Sequence, residues 1–193
     1  GADDYIQVPY SESVNVTNNQ LTIELWVYTS TVQSNAAFVA KGLADGSEQY
    51  MFGLANTNAY NTRVTIEPGL WDSDSYTATL PTGTWQHIVY VYNSSLSAAQ
   101  RKTIYINGGA TTESAGAPPG NIDGDSGGLN FGKRLTSGVY FSGIFDEIRI
   151  SDIARSADWI KTEYDNQNNP GAFYTLGGEE GCGPLPDVTA NPL

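Results

Sequence analysis

Leu21-Thr22-Ile23-Glu24-Leu25-Trp26-Val27-Tyr28 alternates apolar and polar or aromatic residues over eight positions. In an extended chain successive side chains point to opposite faces, so Leu21, Ile23, Leu25 and Val27 share one face of a strand while Thr22, Glu24, Trp26 and Tyr28 share the other. Short segments of the same kind recur at 38–40, 50–54, 63–66, 85–92, 103–106, 129–131 and 144–150, each rich in β-branched or aromatic residues. Turn chemistry separates them. Asn107-Gly108 supplies the two positive-φ residues of a tight hairpin, and Pro81-Thr82-Gly83 stands just ahead of Trp85. Residues 116–128 contain Pro118, Pro119, Gly120, Gly124 and Gly127, which cannot sustain regular pairing and predict a long loop. Many short strands between turns predict an all-β fold, a two-sheet antiparallel jelly-roll sandwich. One short C-terminal helix is expected after Ser156, which can cap it. Asp158 falls in its first turn, Trp159, Ile160 and Tyr164 form its apolar stripe, and it ends by 166–170. The expected division is a domain over 1–177 and a Gly/Pro-rich tail or linker over 178–193.

The chain has 193 residues, enough for one domain with a sizeable core. Nine Lys+Arg against 21 Asp+Glu give a net charge of −12, which opposes a phosphate-backbone partner, so no nucleic acid is expected. Anionic membrane surfaces are disfavoured in the same way, and no apolar run is long enough for membrane insertion. With 16% charged residues the surface must be covered largely by Ser, Thr, Asn, Gln, Gly and Tyr. The one cysteine, Cys182, lies in the tail and reads as a spare thiol rather than a nucleophile.

Six segments taken in order carry a resemblance: Asp3-Asp4-Tyr5-Ile6; Thr22-Ile23-Glu24-Leu25-Trp26-Val27; Phe38-Val39-Ala40-Lys41-Gly42; Gly83-Thr84-Trp85-Gln86-His87-Ile88-Val89; Ile104-Tyr105-Ile106-Asn107-Gly108; and Phe141-Ser142-Gly143-Ile144-Phe145-Asp146-Glu147-Ile148-Arg149-Ile150. Together they resemble the laminin-G-like, concanavalin A-like lectin/glucanase domains. The stretch from Trp159 to Gln167, followed by Phe173-Tyr174, is similar to the closing segment of versions carried in large bacterial surface and secreted proteins. The resemblance implies a jelly roll and a secreted or cell-surface location within a larger protein. It also matches Trp26 and Trp85 to core positions. Fold alone confers no function.

Retaining glycosidases place two acids about 5 Å apart across the scissile bond, and this fold does so with alternating acids on one strand. No segment here has that pattern. Glu24 stands alone, Asp146-Glu147 are adjacent and expected on opposite faces, and Glu179-Glu180 lie in the tail. His87, the only histidine, alternates with apolar neighbours and reads as a structural residue rather than a general base. Two acid groups suggest Ca²⁺. Asn121-Ile122-Asp123-Gly124-Asp125-Ser126-Gly127 spaces oxygen ligands around Gly, although it reads equally well as a solvated turn. The family resemblance implies a second site, with Asp146 meeting Asp3 or Asp4 of the N-terminal segment at the ion; the alternative is that Asp146 and Glu147 simply bond backbone or Arg149. Sugar sites use aromatic rings over pyranose C–H faces, flanked by polar side chains. Trp71, in a polar turn-like stretch over 68–76, is the leading candidate, with Tyr60 and Tyr76 as its platform and Tyr140 as a further member; an equally good account is that Trp71 plugs the sandwich edge.

The expected function is therefore a non-catalytic extracellular module that binds a glycan or cell-surface polysaccharide, with Ca²⁺ assisting. Alternatives are a structural or adhesive module contacting another surface protein, and a divergent glycosidase or polysaccharide lyase.

Overall fold

The computed structural model describes residues 3–67, 70–111 and 119–174, the side chains of 67 and 70–72 excepted. Its elements are β1 (Ile6–Val8), β2 (Gln20–Tyr28), β3 (Ala37–Gly42), β4 (Glu48–Leu54), β5 (Ala59–Glu67), β6 (Leu70–Thr79), β7 (Gln86–Asn93), β8 (Lys102–Ile106), β9 (Gly109–Ala110), β10 (Leu129–Phe131), β11 (Ile144–Ser151), α1 (Ala157–Asn168) and the single turn α2 (Pro170–Phe173). Two antiparallel sheets result, in the orders β1-β10-β3-β4-β5-β6 and β11-β2-β7-β8-β9. This is the expected jelly-roll sandwich. Leu21, Ile23, Leu25 and Val27 are fully buried and meet Phe38, Phe52, Tyr60 and Val64 of the facing sheet. Each such Leu or Ile contributes roughly 1.5–3 kcal/mol by leaving water.

The second face of β2 is covered too. Thr22 and Glu24 are 2% exposed because α1 and the segment before it lie across the outer face of the five-stranded sheet. Ile160 of α1 is buried against Val89 and Val91 of β7. Thr22 positions the approach to the helix: its hydroxyl donates to the Ile153 carbonyl at 2.7 Å and accepts the Arg155 N–H at 3.0 Å. Ser156 then caps the helix by accepting the Trp159 N–H at 3.2 Å. The β8–β9 hairpin turns on Asn107 (φ +50°) and Gly108 (φ +77°), as the pair predicts. A Cβ on Gly108 would lie 3.1 Å from Lys161 and from Tyr164, so this turn also lets α1 approach closely.

The polar stretch over 68–76 departs from expectation. Residues 70–79 form an edge strand that pairs with β5, for example Thr62 with Asp74 and Thr65 with Trp71. Asp and Ser between its apolar positions hide the alternation of a strand, and Asp74 is largely buried against the ammonium of Lys102 on β8. The tail over 178–193, with Cys182, lies outside the described residues. No helix among the described residues is long and apolar enough to cross a membrane. Ile160→Ala is expected to cost about 2–4 kcal/mol, the range for buried aliphatic truncation, measured as a fall in the denaturant midpoint.

Candidate functional site

Asp146 on β11, Trp26 on β2 and His87 on β7 are register partners in one row across the five-stranded sheet, on the face that carries α1. Beside this row opens a cleft of ≈ 560 Å³. The sheet side is lined by Trp26, Trp85, Asp146, Glu147 and Arg149, and the helix side by Glu163, Asn166, Gln167 and Asn168. Trp85 is 40% exposed, its ring tilted against Tyr28 at 5.8 Å, which corrects its placement among the core residues. Trp26 is held from both sides: its Nε1–H donates to the Gln167 side-chain oxygen, and its ring stacks on Tyr164 at 5.9 Å.

Asp146 and Glu147 would diverge in a regular strand, yet both line the cleft. A bulge between Asp146 and Arg149 puts Glu147 at φ +50°. Asp146 Oδ1 accepts the Glu147 N–H at 2.9 Å, so the first acid stabilises the bend that redirects the second. Below them, His87 Nε2 and Glu24 Oε1 share a buried hydrogen bond of 2.8 Å. The Arg149 guanidinium stands 3.8 Å from Glu24 and bonds Glu163 at 2.8 Å and Glu147 at 2.7 Å. Burial alone would lower the Arg149 pKa, but the bond to Glu163 and the charges of Glu24, Glu163 and Glu147 raise it. Gln167 donates to Glu163 at 3.0 Å and so links this ion group back to Trp26. What remains available in the cleft is the exposed ring of Trp85, the amides of Asn166 and Asn168, and carboxylate oxygens. These are the groups that cover an apolar sugar face and read hydroxyls.

The residues singled out from sequence fall elsewhere. Tyr60 and Tyr76 are 0% and 3% exposed, core residues of β5 and β6, and so offer no loop platform; burial pushes the Tyr60 phenol up. Trp71 lies on β6, and its side chain is outside the described set. Tyr140 is half-buried in a separate cluster, 6.0 Å from Tyr5, with the Lys133 ammonium 4.3 Å over Tyr5 and 5.5 Å over Tyr140. Asp3 and Asp4 are exposed ahead of β1, on the six-stranded sheet, whereas Asp146 belongs to the other sheet. Among the described residues no three His, Cys, Asp or Glu side chains gather to ligate a metal.

In the loop over 121–127 the acid groups already have partners. The fully buried ammonium of Lys41 donates to the Asp125 carbonyl at 2.7 Å and sits 3.5 Å from Asp125 Oδ1. Asp125 Oδ1 also accepts the Gly127 N–H at 2.5 Å, and the Asp123 carbonyl accepts from Gln49 at 2.9 Å. Burial lowers the Lys41 pKa, with Asp125 opposing.

A family description of the concanavalin A-like lectin/glucanases superfamily, laminin-G type, matches residues 1–161. The chain belongs to that superfamily. Among solved structures of the concanavalin A-like fold, it resembles the botulinum neurotoxin serotype G binding domain at 15% identity and TM-score 0.64, covering 86% of this chain but 41% of that one. It is similar to domain 4 of AbnA, a GH43 extracellular arabinanase from Geobacillus stearothermophilus, solved in complex with arabinotriose (19% identity, TM-score 0.58, 81% and 70% covered). A heptameric SAP-like pentraxin from Limulus polyphemus matches at 17% identity and TM-score 0.52, with 85% and 83% covered. No curated protein matches the chain. At these identities the concanavalin A-like neighbours establish the fold alone.

With Lys41 serving the loop, excess EDTA is expected to leave the melting temperature unchanged. Lys41→Met strands the Asp125 carboxylate and should cost on the order of 3 kcal/mol, read by thermal and denaturant unfolding.

Proposed function

We propose that the chain is a non-catalytic carbohydrate-binding module of a secreted or cell-surface protein, and that it holds its glycan in the cleft between Trp85, Trp26 and the C-terminal end of α1. The observation that carries this is Trp85: a large ring 40% exposed in a concave site whose walls are amides and carboxylates. Isolated exposed aromatics are ordinary, but one set in a cleft beside a second, rigidly held tryptophan is what a sugar face requires. The arabinotriose bound by the AbnA domain supports a saccharide on this fold.

The acids of the cleft support binding over hydrolysis. Glu147 and Glu163 are both engaged by Arg149, and one oxygen of Asp146 is tied to the bulge amide. A glycosidase needs a free nucleophile or base and a protonated acid. The net charge of −12 favours an uncharged glycan over polyanions, and calcium has no part in this reading.

Trp85→Ala is expected to weaken binding to a neutral polysaccharide by about tenfold or more, the size of one lost ring contact, with the unfolding midpoint close to wild type. Affinity electrophoresis across a polysaccharide panel reads the first quantity. Wild-type silence on the whole panel, or release of reducing sugar from any member, would overturn the proposal.

A further inference from the structure

A second cleft, of ≈ 610 Å³, opens at the other end of β11, between residues 12–18 and 150–155. Its distinguishing feature is Arg155. Among the described residues Lys41, Arg63, Lys102, Arg134, Arg149 and Lys161 each pair with a carboxylate. Arg155 and Lys133 pair with none, Lys133 lying instead over the rings of Tyr5 and Tyr140, although the chain has 21 acids for nine Lys+Arg. The Arg155 guanidinium lies 4.5 Å over the Trp159 ring, and its Nε is buried without a partner. A buried donor left unmade carries a desolvation cost, and the guanidinium Nη groups are the donors this side chain has for the cleft it lines.

Asp152, Thr17 and Ser151 line the same cleft; Asp152 and Thr17 are exposed, and among the described residues no side chain engages the carboxylate or either hydroxyl. Asp152 is only three residues from Arg155, yet no ion pair joins them, so donor fork and acceptor face the same space separately. The backbone holding them is rigid. Asn18 donates to the Asp152 carbonyl at 2.5 Å, and the Arg155 N–H is bound by Thr22 at 3.0 Å. Glu12, at the rim, is already engaged by the Tyr10 hydroxyl at 2.5 Å and by Asn15 at 3.4 Å.

We propose that this cleft is a second saccharide site, for a neutral sugar, in which Arg155 donates to one hydroxyl oxygen and Asp152 accepts from a neighbouring hydroxyl. A hydroxyl pair offers both roles at once, whereas a uronate or sulfated sugar would meet Asp152 and Glu12, and an amino sugar would meet Arg155. Apolar contact comes from Val16, Ile150 and Ile153. The proposal extends the carbohydrate-binding reading from one cleft to two, placed at opposite ends of α1, whose 12 residues span about 18 Å.

The test is a ¹H–¹⁵N titration of the full chain with arabinotriose, cellotriose and mannotriose, and with trigalacturonate as the charged control. The expected result is movement of the Arg155 Nε–H resonance and the Thr17 and Ser151 amides with at least one neutral trisaccharide. Asp152→Asn, which leaves the Trp159 stack intact, and Arg155→Met should each weaken that response about tenfold or more, and Trp85→Ala should preserve it. If no neutral trisaccharide moves these resonances, or only trigalacturonate does, the second site is wrong. A response at Trp85 with Arg155 silent overturns this inference and spares the first cleft; the reverse pattern overturns the first cleft and spares this one.

Discussion

Glu24 is a carboxylate on the outer face of β2 with 2% of its surface exposed. A charge so placed must be paired, because desolvation without compensation costs several kcal/mol. His87 and Arg149, from the strands on either side of β2, meet that need. Arg149 cannot be reached by Glu24 alone, and its remaining donors go to Glu147 on the bulge and to Glu163 on α1. One buried acid thereby keys the helix to the sheet in a particular register, which apolar contact through Ile160 could not do by itself. Gln167, Trp26 and the cleft follow from that register.

How much of this can be read from the chain depends on the distance over which each feature is determined. The alternation in β2, the Asn107-Gly108 turn and the Ser156 cap are local, and each is legible because the residues involved are neighbours. The edge strand β6 is local as well, but its run of Asp and Ser imitates a turn, and the partner that takes Asp74 inward, the buried Lys102, lies far along the chain. The Glu147 bulge has no marker such as Gly; its positive φ is held by the Asp146 side chain and by pairing with Arg149. Trp85 is matched to a core position by the family resemblance, yet it stands one residue ahead of β7 and lines the cleft with 40% of its surface exposed. The Lys41–Asp125 contact joins residues 84 apart, so the acid loop looks like a cation site until its lysine is in place.

That lysine bears on the charge of the whole molecule. Among the described residues, Lys41, Arg63, Lys102, Arg134, Arg149 and Lys161 are each committed to an ion pair within the chain. The chain keeps a net charge of −12, whose field is screened over about 8 Å at physiological salt and opposes approach to anionic surfaces.

Placing two clefts at the ends of a single helix turns this electrostatic picture into one about ligand form. An uncharged glycan gains nothing from long-range attraction to an acidic protein, so in the proposed clefts its affinity would rest on ring contact at Trp85 and on hydrogen bonds at Arg155 and Asp152, both weak for a short sugar. A repeating polymer changes the arithmetic, because occupancy of one cleft raises the effective concentration of the next repeat at the other, and avidity grows without any new contact. The rigid helix between the clefts sets the spacing a polymer must match. Under the two-cleft proposal, then, selectivity comes from the geometry of a chain of sugars rather than from the strength of any one contact.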